Sequence, residues 1–357
     1  MLEIWKRIPP AEQKNIAAIG PKLGTGSAKQ TFLVKTRPGS MAADWITQGE
    51  PLVGAVTLPD ALPDLIDLAK AATAVPELAY LLRQIQPVIE RELNLVTESE
   101  AFLRVAQTRT GRSSTIRSLR VAAATESFLL REGFDGSTLH SLLKKGALSQ
   151  SAKARLVSLH KTLIQDAFDT RGLPEGAETF VFTDPHLANI ADNGKVAYVF
   201  DPGQYATLKQ NEAQLFLRML VAFGNEGLKV SMREDLLESL TPLCNIDRQH
   251  QGQDPAKTVA QRLDEAYAVA ERVADDSVGY RLQVFFNACS KQGLDIPRGF
   301  FAAAKMMHII QGQCRDLGLG DHMAETVRDL FVDQLGPWGK LTAWWDSSTN
   351  TPRSKSN

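Results

Sequence analysis

The chain has 357 residues, 43% of them hydrophobic and 23% charged, with a formal net charge of -1 from 40 basic and 41 acidic side chains. This composition is ordinary for a globular protein large enough to bury a sizeable core and to form more than one lobe. The balanced charge gives no sign of a nucleic-acid or acidic-lipid surface, so no nucleic-acid partner is expected. Three widely spaced cysteines, six scattered histidines and no apolar run of membrane-spanning length exclude a disulfide scaffold, a metal centre read from spacing and a transmembrane segment. They point to a reducing, cytoplasmic setting.

In chain order, residues 1–18 read as a short helix and lead-in. Residues 19–23, the stretch Gly24-Thr25-Gly26-Ser27-Ala28-Lys29-Gln30 and residues 31–35 then read as strand, small-residue loop and strand. Glycines let a backbone approach phosphate oxygens, and loop N–H groups bind them, so Gly24, Gly26, Ser27, Ala28 and Lys29 are candidate phosphate contacts. A tight β-hairpin accounts for the same residues. Residues 51–58 read as a third, buried strand. A kinase-like N-lobe carries its phosphate-binding lysine there, and this strand has Ala55 instead, leaving Lys35 or Lys29 to supply positive charge.

Residues 60–105 are expected to be largely helical, with Leu81, Leu82, Ile85, Val88, Ile89, Leu93, Val96, Phe102 and Leu103 near three-to-four spacing and Pro87 bending or starting a helix. Glu98 is placed to pair with a lysine across a nucleotide site if this helix packs on the strands. Residues 118–121 and 126–131 read as two more strands. The connection at 132–136 offers backbone near Glu132 and Phe134 where an adenine can hydrogen-bond. An ordinary strand-to-helix loop fits equally. A helix over 149–168 follows, with Leu156, Leu159, Leu163 and Ile164 apolar and His160 structural. Beyond Gly203 the pattern is helical to about residue 335, with a polar loop at 245–256 and Met306-Met307 in the core. Trp338, Trp344 and Trp345 precede a polar tail.

The most informative stretch is Phe180-Val181-Phe182-Thr183-Asp184-Pro185-His186-Leu187-Ala188-Asn189-Ile190, followed by Val196-Ala197-Tyr198-Val199-Phe200-Asp201-Pro202-Gly203. The two apolar runs read as paired strands, with Asp192-Asn193-Gly194 as the turn. Asp184, Asn189 and Asp201 then project from adjoining loops. Two carboxylates and an amide there suit phosphoryl transfer: Asp184 orients or deprotonates an attacking hydroxyl, while Asn189 and Asp201 hold Mg²⁺ on nucleotide phosphates. Simple turn capping by the same residues is the alternative.

Several segments, in this order, resemble the UbiB/AarF-type atypical kinase family. Thr183-Asp184-Pro185-His186-Leu187-Ala188-Asn189 resembles its A-D-P-H-P-G-N loop, and Asp201-Pro202-Gly203 its D-F-G. Glu92-Leu93-Asn94 with Glu98 resembles the E-L-D motif and helix glutamate. The stretch from Phe128-Leu129-Leu130-Arg131-Glu132 to Gly136 resembles its V-L-x-M-E-x-x-x-G hinge, and Gly26-Ser27-Ala28-Lys29-Gln30 its Ala-rich loop. The departures are Ala55 at the lysine position, Asn94 for Asp, Pro202 for Phe, a short N-terminus and an incomplete K-x-G-Q segment.

The resemblance implies an α+β, two-lobed protein-kinase-like fold: a lead-in over 1–18, an N-lobe over 19–135, a helical C-lobe over 136–340 and a tail over 341–357. It implies ATP and Mg²⁺ as cofactors, and phosphotransfer or ATP hydrolysis with a small-molecule or lipid-like acceptor. A nucleotide-binding pseudokinase and a small-molecule kinase of the aminoglycoside-phosphotransferase type are the rival expectations.

Overall fold

The computed structural model describes residues 5–6, 8–25, 29–36, 52–57, 94–134, 136–202, 205–224, 229–246, 257–273 and 277–334. The helix expected before residue 94, Gly26, Ser27, Ala28, Gly203 and the tryptophan-bearing C-terminus lie outside these residues. Strands β1 (Ile16–Thr25), β2 (Lys29–Thr36) and β3 (Leu52–Thr57) come first, then helix α1 (Leu95–Gln107) and strands β4 (Ile116–Ser118), β5 (Val121–Thr125), β6 (Phe128–Glu132) and β7 (Ser137–Thr138). Helix α2 (Gln150–Phe168) precedes β8 (Glu178–Phe182), β9 (Ile190–Asp192), β10 (Ala197–Val199) and β11 (Tyr205–Lys209). The longer helices α3 (Gln210–Gly224), α4 (Lys229–Leu240), α5 (Val259–Glu271), α6 (Val278–Lys291), α7 (Arg298–Leu317) and α8 (His322–Gln334) follow. The order is α+β, with most strands first and the longer helices after. The chain packs as two compact units, 1–159 with 186–205 and 160–185 with 206–357.

In the first unit, β1, β2, β3, β6 and β5 form an antiparallel sheet in that order. Period-two alternation sorts β6 onto two faces. Phe128 and Leu130 pack with Ile8, Ile16, Phe32 and Val34. Leu129 packs with Leu95 and Phe102 of α1. Helix α1 starts where the Asn94 side chain accepts from the Val96 N–H at 3.0 Å, and its buried stripe is Leu95, Glu98, Ala101, Phe102 and Val105. A second sheet runs β4-β10-β9-β7, with β4 parallel to β10.

The expected strand pair differs from the observed one. The turn at Asp192-Asn193-Gly194 joins β9 to β10, so the partner of the 197–199 strand is Ile190–Asp192. The run Glu178–Phe182 instead pairs with β11, a strand inside the region read as wholly helical. Tyr205–Lys209 is too short and too polar for its alternation to register, and only the tertiary pairing makes it a strand. The 118–121 segment is likewise a break between two strands rather than one strand. Arg155 of α2 grips the β9–β10 turn: its Nε and Nη2 donate to the two Asp192 oxygens at 2.6 and 2.8 Å, and Gly194 N–H donates to Asp192 Oδ1 at 2.8 Å.

The second unit is a helical core around Phe216, Phe285, Phe286 and Phe300, all fully buried, with Met306 and Met307 also inside as expected. Gly279 permits α6 and α7 to touch, because a Cβ there would collide with the His308 backbone. A buried polar chain crosses this core. His160 Nδ1 meets His322 Nε2 at 3.1 Å, His160 Nε2 meets Gln313 Oε1 at 2.7 Å, and Gln313 Nε2 donates to the Pro185 carbonyl at 2.9 Å. The amide oxygen can only accept, so His160 carries its proton on Nε2 and receives one from His322 on Nδ1. Burial pushes His160 down to about 3, so the relay is neutral. Among the described residues, no helix is long and apolar enough to cross a membrane.

Two outcomes follow from these buried groups. Arg155→Met should destabilise the protein by about 3–5 kcal/mol in urea unfolding, because it strands the Asp192 charge, and Arg155→Met/Asp192→Asn should recover most of that loss. The folded His160 pKa lies below its unfolded value, so stability is full above about pH 6.5 and falls as the pH drops toward 3. The His160 contribution to the slope is at most about 1.4 kcal/mol per pH unit, and it should vanish in His160→Gln when unfolding free energy is compared between pH 7 and 4.5.

Candidate functional site

Asn189 immediately precedes β9 and Phe200 immediately follows β10. The Phe200 N–H donates to the Asn189 carbonyl at 3.2 Å, and Ile190 pairs with Val199. Asn189 and Asp201 therefore leave the same end of one short hairpin. The Asn189 N–H is itself tied to the His186 carbonyl at 2.8 Å, which closes the loop before it. A hard cation takes amide and carboxylate oxygens, so this donor set suits Mg²⁺ with water and phosphate filling the remaining positions.

Asp184 belongs to the second unit. Its side chain is 16% exposed and pairs with Lys305 of α7, Nζ to Oδ1 at 3.1 Å. Thr183 before it is buried, and the Pro185 carbonyl after it receives the Gln313 amide. The carboxylate thus lies between a buried threonine and an anchored carbonyl, with an ammonium beside it. Lys305 and Gln313 sit far along the chain from Asp184, on a helix whose pattern reads only as amphipathic. Nothing in the local sequence marks them as site residues.

The remaining expected contacts scatter. Gly24 lies within β1, paired with Thr31, and Lys29 opens β2, paired with Thr57. Lys35 is exposed on β2. Glu98 is buried on α1 at 6% exposure. Glu132 is buried, and its carboxylate is taken by arginines: Arg117 Nη2 donates to Oε1 at 2.7 Å, and Arg120 donates through its N–H, Nε and Nη2 at 3.1–3.2 Å. Its N–H goes to the Arg120 carbonyl, and its carbonyl accepts from Arg131 Nη1. Phe134 stacks on Phe200 with ring centroids 4.9 Å apart, which joins the segment after β6 to the residue before Asp201.

Sequence reading also passed over Arg131. It is 7% exposed at the end of an apolar strand, with its guanidinium 5.8 Å from the Phe102 ring of α1. Burial lowers its pKa, while the charges of Glu98 and Asp201 raise it. The available signal was a charged residue inside the run Phe128-Leu129-Leu130-Arg131.

One further cluster among the described residues brings His160, Cys314 and His322 together, with one ligand atom from each within 4.8 Å. Cys314 Sγ is nearly equidistant from His322 Nε2 and Nδ1, at 3.6 and 3.9 Å. It therefore sits off the N–H direction of Nε2, which points at His160. An ion replacing that proton would need the sulfur much farther from Nδ1. The geometry is a hydrogen-bonded histidine pair beside a thiol whose pKa burial pushes up to about 11.

No protein-family model matches the chain, and no curated protein matches it. Among solved structures, the chain is similar to the Rv3197–erythromycin complex from Mycobacterium tuberculosis at 13% identity, covering 87% of this chain and 80% of that one with a TM-score of 0.43. It is similar to the ADP-bound aminoglycoside phosphotransferase APH(2'')-Ib at 15% identity, covering 85% and 98%, with a TM-score of 0.31. The streptomycin–ATP complex of APH(2'')-IIa matches at 14% identity, covering 75% and 88%, with a TM-score of 0.31. Each likeness is low, and none assigns a substrate, a nucleotide or a family to this chain.

Proposed function

We propose that this protein is an ATP- and Mg²⁺-dependent phosphotransferase. The observation that carries the reading is the hairpin end that presents Asn189 and Asp201 together. In this reading Asn189 and Asp201 hold Mg²⁺, whose charge neutralises the phosphate oxygens. Asp184 orients the acceptor hydroxyl and takes its proton. Lys305 holds the carboxylate in place until the acceptor arrives. Glu132 serves by fixing the strand end, since its side chain is consumed by Arg117 and Arg120, and the adenine contact falls to the backbone at 133–134. Gly24 and Lys29 are the described candidates for phosphate contact in this reading.

A groove of about 760 Å³ lies along α4 and α5, with Glu234 and Glu238 on a wall that also carries Leu237 and Pro242. Its exposed lining is mainly apolar, with acidic side chains at Glu234, Glu238, Asp264 and Glu265, so it does not discriminate a cationic acceptor from a lipid-like one. A pseudokinase shares the nucleotide site and differs in turnover alone.

Thermal unfolding with MgATP, together with phosphate release, tests the reading. Nucleotide at a hundredfold excess over its Kd should stabilise the wild type by about 2.7 kcal/mol, and Asp201→Ala should lose that shift. Asp184→Asn should keep the shift and lose about 10²- to 10⁴-fold in turnover with a hydroxyl-bearing amino-sugar acceptor. Stabilisation without turnover on any acceptor would leave the pseudokinase, and no stabilisation at millimolar nucleotide would remove the site altogether.

A further inference from the structure

A kinase-like site needs a cation that pairs with the helix glutamate and anchors the nucleotide phosphates, and the third strand of this chain offers Ala55 in its place. The strand register shows where a replacement can stand. Ala55 pairs with Leu129, and Val53 pairs with Arg131. Residues 129 and 131 alternate onto one face of β6, the face that packs on α1. Position 55 and Arg131 are therefore diagonal neighbours on that face, a separation of about 7–8 Å that a long side chain spans.

What surrounds Arg131 matches the vacancy. Glu98 and Phe102 lie one turn apart on α1, both buried, and the guanidinium sits 5.8 Å from the Phe102 ring. Asp201 is close enough for its charge to act on the guanidinium. Phe134 on Phe200 ties the two segments that carry Arg131 and Asp201. Nη1 donates to the Glu132 carbonyl, and among the described residues Nε is buried without a hydrogen-bond partner. The fold thus keeps a guanidinium beside the helix glutamate and the metal-binding aspartate without using all its donors. Lys29 and Lys35 stand on the same face of β2, and Lys35 is exposed.

We propose that Arg131 is the phosphate-anchoring cation of this protein, moved one strand across from the usual lysine position. Building on the phosphotransferase reading above, the guanidinium pairs with Glu98 when nucleotide is absent and extends to the α- and β-phosphate oxygens when it binds. An arginine suits that role because its planar fork meets phosphate through two N–H groups.

Calorimetric titration with MgATP, MgADP and adenosine tests the assignment. Arg131→Met alone strands the buried Glu98 charge, so the informative variants are Arg131→Met/Glu98→Leu, which removes both charges, and Arg131→Met/Ala55→Lys, which returns a cation to the same face. The first should weaken MgATP and MgADP by ~10- to 100-fold while adenosine stays within about threefold. The second should regain most of the MgATP affinity. Three results overturn the assignment: unchanged MgATP affinity in the first variant, equal loss of adenosine and MgATP, or a folded second variant that regains nothing. A wild type that binds no nucleotide overturns the phosphotransferase reading and this assignment together. A binding wild type with an unaffected variant overturns only the role of Arg131.

Discussion

Taking a carboxylate out of water costs several kcal/mol unless a cation and hydrogen bonds meet it, and the first unit is arranged around that cost. Glu132 and Asp192 are both buried, and each is met by a forked arginine contact. The first contact fixes the end of β6 against the segment before β5, and the second fixes the β9–β10 turn against α2. Between these anchors lie the strand that carries Arg131 and the hairpin that carries Asn189 and Asp201. Their side chains inherit a position from charges that cannot move without being exposed.

The second unit solves a similar problem without charge. Its loop before the unit boundary is held by an amide and two imidazoles that are neutral because burial makes ionisation expensive. Each polar atom along the chain from His322 to the Pro185 carbonyl has a partner, so the chain stiffens the segment instead of weakening it. The two devices differ in kind: the first unit uses paired charges, the second a neutral hydrogen-bonded chain.

Local chemistry made much of this legible in the sequence. The turn at Asp192-Asn193-Gly194, the capped start of α1 and the apolar periodicity of α2 each follow from a few adjacent residues. Asn189 and Asp201 could be placed at one hairpin end because the turn between them is short and local. The pairing of β8 with β11 was not legible, because a five-residue polar strand is chosen by its neighbour across space. Lys305 and Gln313 were hidden for the same reason, lying on a helix remote in sequence from Asp184. Arg131 was readable only as an anomaly, since its meaning depends on which strand stands beside it.

The boundaries of the two units fall at 159/160, 185/186 and 205/206. The chain therefore passes from one unit to the other three times, once in the middle of α2 and once directly after Pro185. No single cut yields either unit as a continuous fragment, and the first crossing lies inside a helix that cannot be half-melted cheaply. Neither half is a portable module: duplication, fusion or truncation can carry the whole chain or nothing, and the loop bearing Asp184 is by construction a seam of the molecule's connectivity.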